Sequence, residues 1–320
     1  MLQDDITVVP QFTESLAPTI RAKPDHAIAF YVNGNSPENS YLVRQAAVLG
    51  SSWVRLSLRE WTPALALALP ASQALELSRY LAEFPDDFRD DDELITVFCR
   101  ERKIPVVATV PHLLDHMDGE SLAGNGSHGV RRATVLIPDD PTPRNHWESD
   151  PGIERRMAER IQNPGKFSFA VEFTGSTCLL RFIRPGTDEL LEHPFGWYWW
   201  DWCDLIDIPG QEIITACERY LKESSGELKI LVSELGERVF TEFWAACYIL
   251  GFDSFQIARI LPLLTEYRAK IARGALNSWL VSGLRAEDSR CIAPGQRDVL
   301  VDAGIEAVRH GMRTAASRAQ

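Results

Sequence analysis

The chain has 320 residues, of which 45% are hydrophobic and 24% are charged, and its formal net charge is −12. This composition is typical of a globular chain and excludes an intrinsically disordered one. The length suffices for two domains of ordinary size. The acidic balance argues against a nucleic-acid surface, because such a surface needs clustered Lys and Arg.

The acidic excess is largest in the first part of the chain. Residues 1–140 carry 12 Lys/Arg and 20 Asp/Glu, a net charge of −8, whereas the remaining residues carry 21 and 25, a net charge of −4. The six cysteines form no CxxC pair, so zinc-knuckle spacing is absent. The dispersed cysteines lie mostly in apolar runs, which is typical of free thiols in a reducing cytoplasm. The chain start does not show the basic-then-apolar pattern of a signal peptide, and the apolar runs are too short to cross a bilayer. We therefore predict a cytoplasmic protein without a membrane span.

Strands and helices alternate through the first half. Residues 27–32 (AIAFYV) form an apolar run typical of a buried strand. Ser36 and Pro37 suit the cap and the first position of a helix that ends at Gly50. Further strands are predicted at 52–58, 65–70 and 104–110, with helices at 71–84 and 91–102. This alternation indicates an α/β layered architecture.

The pattern changes after residue 138. Residues 138–165 contain five Pro and many charges, which predicts a linker with one short helix near 151–161. Two paired strands follow, FSFAVEF and TCLLRFI, joined by Thr174–Ser176. A later strand is predicted at 227–235, with helices at 210–223, 238–250, 254–273 and 297–314. We therefore predict two domains, 1–137 and an α+β domain at 166–320.

Three acidic or histidine features of the first domain could carry chemistry: the pair Asp4–Asp5, the run Asp90–Glu93 at a helix start, and His116 after a strand. Each also has a structural interpretation, because acidic residues complement a helix dipole, terminal charges are solvated, and a lone His can be structural. Together they suit Mn²⁺ or Mg²⁺. Such a cation can hold a diphosphate while another carboxylate acts as a general base.

The order of these pieces resembles the second half of a bacterial glycosyltransferase of the A-type (GT-A) fold, over residues 1 to about 137. The segments that carry the resemblance are LQDDITVVPQFTESL, AIAFYVNGNSP, REWTPALALALP and FRDDDELITVFCRERKIPVVATVPHLLDHMDGESLAGN. The resemblance implies a partial GT-A-like mixed sheet with flanking helices. It also implies a metal-dependent transfer of a sugar from a nucleotide-sugar to an unknown acceptor.

The resemblance also implies roles for individual residues. Asp5, with Asp4 beside it, would ligate the metal, and His116 would be a second ligand or touch the diphosphate. Asp91 or Asp92 would be the general base or would orient the acceptor. In the glycine-rich stretch SLAGNGSHGVRR, backbone N–H groups can approach an anion, although the stretch can equally be only a mobile loop. The phosphate-contacting residues implied there are Asn125, Ser127 and Arg131.

The resemblance lacks its front half. In the A-type fold the half that precedes the acidic motif grips the nucleotide, and here only three residues precede Asp4. The resemblance therefore implies a truncated domain at 1–137. Its open sheet edge would invite a partner chain or a second copy that completes the sheet.

The second domain offers one unusual cluster, FGWYWWDW at residues 195–202. Flat aromatic rings stack on sugars and nucleobases, so these side chains could form a binding platform. Alternatively the cluster is a strand buried on both faces. The platform residues would be Trp197, Trp199, Trp200 and Trp202.

Two alternatives to the transferase therefore remain open. One is a non-catalytic binding or assembly protein that is built on a degenerate transferase remnant. The other is an enzyme whose site lies in the C-terminal domain.

Overall fold

The computed structural model describes residues 1–34, 36–85, 91–117, 131–148, 151–165, 167–183, 196–293 and 295–319. They form a mixed α/β structure with several small sheets, which confirms the predicted class at that level. The chain divides into two compact units. The first contains the described residues within 1–46 and 51–162, and the second contains those within 47–50, 163–185 and 193–320.

The first unit is built on a four-stranded sheet and a separate two-stranded ladder. The strands are β1 (Ile6–Val8), β2 (Ala27–Ala29), β3 (Trp53–Arg55), β4 (Leu67–Ala68), β5 (Val106–Thr109) and β6 (Leu114–His116). The helices are α1 (Phe12–Ala22), α2 (Pro37–Leu49), α3 (Ala71–Leu81), α4 (Asp91–Glu101) and α5 (Pro151–Gln162). The sheet order is β3-β5-β2-β4, in which β2 and β5 run parallel, and β1 pairs antiparallel with β6.

The start of α2 is anchored by the loop that follows β3. The Glu60 carboxylate accepts hydrogen bonds from the backbone N–H groups of Glu38 and Asn39, both at 2.7 Å. It thereby satisfies two donors that a helix start leaves without intrahelical partners. Burial, together with the neighbouring Glu38 carboxylate, raises the pKa of Glu60. Arg59 forms an ion pair with Glu38. Arg59 and Glu60 thus fix the start of α2.

The second unit combines one small antiparallel sheet with a helical layer. Its strands are β7 (Phe169–Thr174), β8 (Thr177–Phe182) and β9 (Trp197–Tyr198). Its helices are α6 (Trp199–Trp202), α7 (Gly210–Glu223), α8 (Gly226–Leu235), α9 (Glu237–Ala258), α10 (Glu266–Ser282), α11 (Ala286–Arg290) and α12 (Arg297–Arg318). The predicted β7–β8 hairpin is confirmed, and its turn residues Gly175 and Ser176 have φ angles of +54° and +58°.

Helices α9 and α12 approach each other so closely that only glycine fits at several positions. A Cβ atom on Gly251 would lie 2.0 Å from the carbonyl oxygen of Val308, and one on Gly311 would lie 2.0 Å from that of Tyr248. Real Cβ atoms essentially never come within 3.0 Å of such an atom. The two long helices therefore pack backbone against backbone.

Three predictions for the second unit are wrong. Residues 227–235 form the helix α8, in which Leu228, Leu231 and Leu235 are buried at helical spacing. The break between the long helices falls at 259–265 and not near Gly251, so the predicted helix 254–273 belongs to two helices. The aromatic cluster is also no continuous strand, because β9 ends at Tyr198 and α6 begins at Trp199.

Within the described ranges, no helix combines the length and the apolar character that crossing a bilayer requires.

Candidate functional site

The carboxyl ends of the parallel strands β2 and β5 lie at one edge of the first unit's sheet. The segments that follow them stay together, since Leu113 donates its N–H to the Phe30 carbonyl at 3.0 Å. Residues 131–136 return to the same edge, where the Thr134 N–H bonds to the Val32 carbonyl at 3.0 Å. In open α/β sheets, ligands bind beyond the carboxyl ends of the strands.

Asp5 and His116 meet at this edge because β1 pairs with β6. Ile6 lies opposite His116 in the antiparallel ladder, and the Met117 N–H donates to the Asp5 carbonyl at 2.9 Å. His116 Nε2 consequently lies 2.9 Å from Asp5 Oδ2. The two side chains that the sequence proposed as metal ligands are thus brought together from distant parts of the chain.

Hydrogen bonding of the His116 ring makes this contact unusual. Nδ1 lies 2.7 Å from the Met117 carbonyl oxygen. A carbonyl only accepts, so we assign a proton to Nδ1, and a neutral ring then presents a lone pair at Nε2. That lone pair lies beside the Asp5 carboxylate, and two acceptors in contact require a proton or a cation between them.

The contact is close, but it is not aligned as a hydrogen bond. Among the described residues, neither His116 Nε2 nor Asp5 Oδ1 has a hydrogen-bond partner, although both atoms are buried. Buried polar atoms without partners are rare and call for a physical explanation.

A divalent cation fits these two donors. Two ligand atoms at about 2.1 Å from an octahedral cation, at right angles to each other, are about 3.0 Å apart, and Nε2 and Oδ2 are 2.9 Å apart. A metal-ligating His usually donates its other ring N–H to a carbonyl or carboxylate, as His116 does to Met117. The part of the chain that the structure describes contains no group of three or more potential metal ligands. Water or phosphate oxygens would therefore complete the shell, as is common for Mg²⁺.

Asp115 links β6 to residues 132 and 133 through its carboxylate. Its Oδ1 accepts the N–H groups of His116 at 2.9 Å and Ala133 at 2.6 Å, and its Oδ2 lies 3.0 Å from Arg132 Nη1. Tyr31 donates its hydroxyl to the Arg131 carbonyl at 2.6 Å. Burial, and then the Asp115 charge, raise the pKa of Tyr31, so its hydroxyl stays a donor. These bonds fix residues 131–133 against β6.

The remaining site residues that the sequence predicted within the described ranges are Asp4, Asp91, Asp92 and Arg131. Asp4 is exposed beside the pair. Asp91 and Asp92 lie at the start of α4. Arg131 is half-buried, and its carbonyl is held by Tyr31. Asn125 and Ser127 lie outside the described residues.

Sequence reasoning missed Asp115, Arg132 and Tyr31. Asp115 stands next to His116, and its position at the end of an apolar run was the available signal. The sequence does not indicate that Arg132 and Ala133 contact Asp115, because both belong to a later segment that is not adjacent to Asp115 in the chain.

His112 is a fully buried histidine near this edge. Burial lowers its pKa to about 3, with a further lowering by the charge of Arg44. The folded state therefore binds fewer protons than the unfolded state, whose His pKa is about 6.5. The stabilisation is complete above that value and is lost as the pH falls towards 3.

We expect acidification from pH 7 to pH 5 to cost about 2 kcal/mol through His112 alone. The measurement is urea unfolding of the wild type and of His112→Leu at both pH values. The difference between their two pH-dependent losses isolates His112 from the other titrating groups. Equal losses in the two proteins would contradict the prediction.

The aromatic cluster of the second unit is partly buried and partly displayed. Trp199 is buried, whereas Trp197, Tyr198 and Trp200 are 45%, 40% and 42% exposed. The rings of Trp197 and Trp202 are 4.9 Å apart at an interplanar angle of 60°. The interpretation of a strand buried on both faces is therefore wrong for three of these side chains.

The buried Glu242 on α9 accepts hydrogen bonds from the cluster. Its Oε2 accepts the Trp199 indole N–H at 3.1 Å and the Cys178 backbone N–H at 3.0 Å, and its Oε1 accepts the Tyr198 hydroxyl at 2.9 Å. Burial, and then the bond to Glu242, raise the pKa of Tyr198 to about 12. One buried carboxylate thus fixes the point where β9 becomes α6.

Comparison with known proteins adds no relative. No family model, curated protein or solved structure matches the chain.

Proposed function

We propose that the first unit binds a divalent cation through Asp5 and His116 and uses it in glycosyl transfer from a nucleotide-sugar. The observation that carries the proposal is the contact of these two side chains at the carboxyl edge of the sheet. Two of their buried atoms, Asp5 Oδ1 and His116 Nε2, have no hydrogen-bond partner in the part of the chain that the structure describes. The assignment to glycosyl transfer rests on the resemblance of residues 1–137 to the A-type fold.

Each residue has a defined task in this proposal. A bound cation would supply positive charge for a donor diphosphate. Asp5 and His116 would hold it, while the hydrogen bonds of Asp115 keep β6 and residues 131–133 in place. Asp91 or Asp92, at the start of α4, would accept a proton from the acceptor hydroxyl.

The test is a thermal-shift titration with Mn²⁺, alone and with a panel of nucleoside diphosphates. A ligand at one hundred times its Kd stabilises the folded state by about 2.7 kcal/mol. We expect a shift with Mn²⁺, a larger one with Mn²⁺ and one diphosphate together, and neither in Asp5→Asn or His116→Gln.

Asp4→Asn is the matched control. It removes the neighbouring carboxylate, which is exposed and outside the pair, so the Mn²⁺ shift should persist. A shift that survives in Asp5→Asn but disappears in Asp4→Asn would sink the site assignment. Manganese electron paramagnetic resonance gives an independent count of bound ions.

The exposed aromatic side chains favour one second candidate, a binding protein that stacks sugars or nucleobases on Trp197 and Trp200. Exposed aromatic groups of this kind mark interaction sites. The same titration separates the candidates, because a platform of this kind needs no Mn²⁺.

A further inference from the structure

The second unit contains a cavity that neither the proposed cation site nor the aromatic cluster uses. It has a volume of about 750 Å³ and lies between α10, α12 and the segment 261–264. Its volume falls within the range of about 300–1,000 Å³ that is typical of small-molecule sites. The apolar part of its wall includes Leu261, Leu264, Ala269, Ala272, Ile305 and Met312.

The segment 261–264, which forms one side of this cavity, has solvent-exposed aliphatic side chains. Leu261 is 54% exposed and Leu263 is 98% exposed. Pro262 separates them, and the segment lies outside both flanking helices. Single exposed apolar residues are ordinary, but adjacent ones at the mouth of an apolar cavity mark a binding site.

Arginine side chains line the polar side of the cavity. Arg273 forms ion pairs with Asp298 and Asp302, and Arg309 forms one with Glu306. Arg313, one turn further along α12, also lines the cavity.

Arg313 leaves this side of the cavity with an unbalanced positive charge. It is exposed and has no ion pair within the described part of the chain. Three arginines and two acidic residues line the cavity, so its wall carries an excess positive charge within a chain of net charge −12. A local charge opposite to that of the whole chain favours an anionic group at this position.

We propose that this cavity binds a free amphiphile with one apolar chain and one anionic head, such as a long-chain carboxylate. The chain lies between α10 and α12 under Leu261, and the head lies at Arg313. Burial of the chain supplies most of the affinity. The charge-assisted hydrogen bond to Arg313 selects the anionic head.

The experiment measures fluorescence of dansylated undecanoic acid and of its methyl ester, titrated with the full chain. We expect the acid to bind about tenfold more tightly than the ester, as a charge-assisted hydrogen bond provides. Arg313→Gln should remove that preference while leaving the ester's affinity unchanged. Ala269→Trp, which fills the cavity from a half-buried position on α10, should weaken both ligands at least about tenfold.

Matched controls lie outside the cavity. Arg290→Gln removes an exposed arginine on α11, and Ile230→Ser removes a 61% exposed apolar side chain on α8. Neither should alter binding. Leu261→Ser provides a second cavity variant if Ala269→Trp does not fold, and it should weaken both ligands.

Three outcomes would overturn the proposal. The first is equal affinity for acid and ester in the wild type. The second is binding to vesicles of anionic phospholipid without binding of the monomeric acid, which would indicate a membrane surface. The third is a dimer in analytical ultracentrifugation that Leu263→Ser dissociates, which would mean that a second copy covers the cavity.

Discussion

Replacing Gly251 by alanine should destabilise the second unit by about 3–5 kcal/mol, at the upper end of single-substitution effects. The new Cβ would lie 2.0 Å from the Val308 carbonyl oxygen and 2.7 Å from its carbonyl carbon. These are backbone atoms of α12, so no side chain can rotate away to make room. The backbones of the two helices would have to move apart at this position.

The sign of this effect makes it diagnostic. Alanine in place of glycine inside a helix ordinarily stabilises it by about 1 kcal/mol. Gly226→Ala is the matched control, because Gly226 lies in a helix and a Cβ there meets nothing within 4 Å. Urea unfolding followed by circular dichroism should show a loss for Gly251→Ala and none for Gly226→Ala. Equal midpoints would refute the close backbone packing.

Replacing Glu242 by alanine should cost about 3–4 kcal/mol, because buried donors left without partners cost about 1–3 kcal/mol each. The Trp199 indole N–H and the Cys178 backbone N–H would lose their shared acceptor. The Tyr198 hydroxyl would also lose its acceptor, but Tyr198 is 40% exposed and can bind water.

Two further variants separate this mechanism from a general loss of charge. Glu234→Ala removes an exposed carboxylate of α8 and should be neutral. Glu242→Gln keeps one accepting oxygen but turns an amide N–H towards these donors, so its loss should be intermediate. Unfolding free energies and tryptophan fluorescence report stability and the cluster together. A loss in Glu242→Ala no larger than that in Glu234→Ala would contradict the role of this carboxylate.

Local signals in the sequence predicted the elements that local chemistry determines. Pro37 and Gly50 mark the ends of α2, and Gly175 marks the β7–β8 turn. The helix α8 was mistaken for a strand because its apolar run is short and nearly continuous. Ser225, which caps α8 by accepting the Leu228 N–H, was the signal that distinguishes the two.

The predicted boundary between the long helices α9 and α10 is wrong for a different reason. Gly251 reads as a helix breaker in isolation, yet tertiary packing against Val308 requires glycine there within a continuous helix. The true break includes Pro262, whose effect was overlooked among apolar neighbours. Propensity is a weak guide wherever another element decides what fits.

The sequence identified the residue types of the candidate site but not all of its members. Asp5 and His116 were paired on chemical grounds, and the β1–β6 ladder brings them to 2.9 Å. Asp115 and Arg132 escaped notice because their contact depends on where residues 131–136 return to the sheet. Such a return is a long-range event that periodicity does not encode.

The β1–β6 ladder also determines when the Asp5–His116 pair can exist during folding. The two strands lie far apart in the sequence, and closing a loop of that length has an entropic cost that local elements do not incur. The ladder should therefore form later than the local helices of the first unit. A ligand held by this pair would then stabilise the folded state without stabilising an early transition state. It would slow unfolding strongly and leave the folding rate almost unchanged.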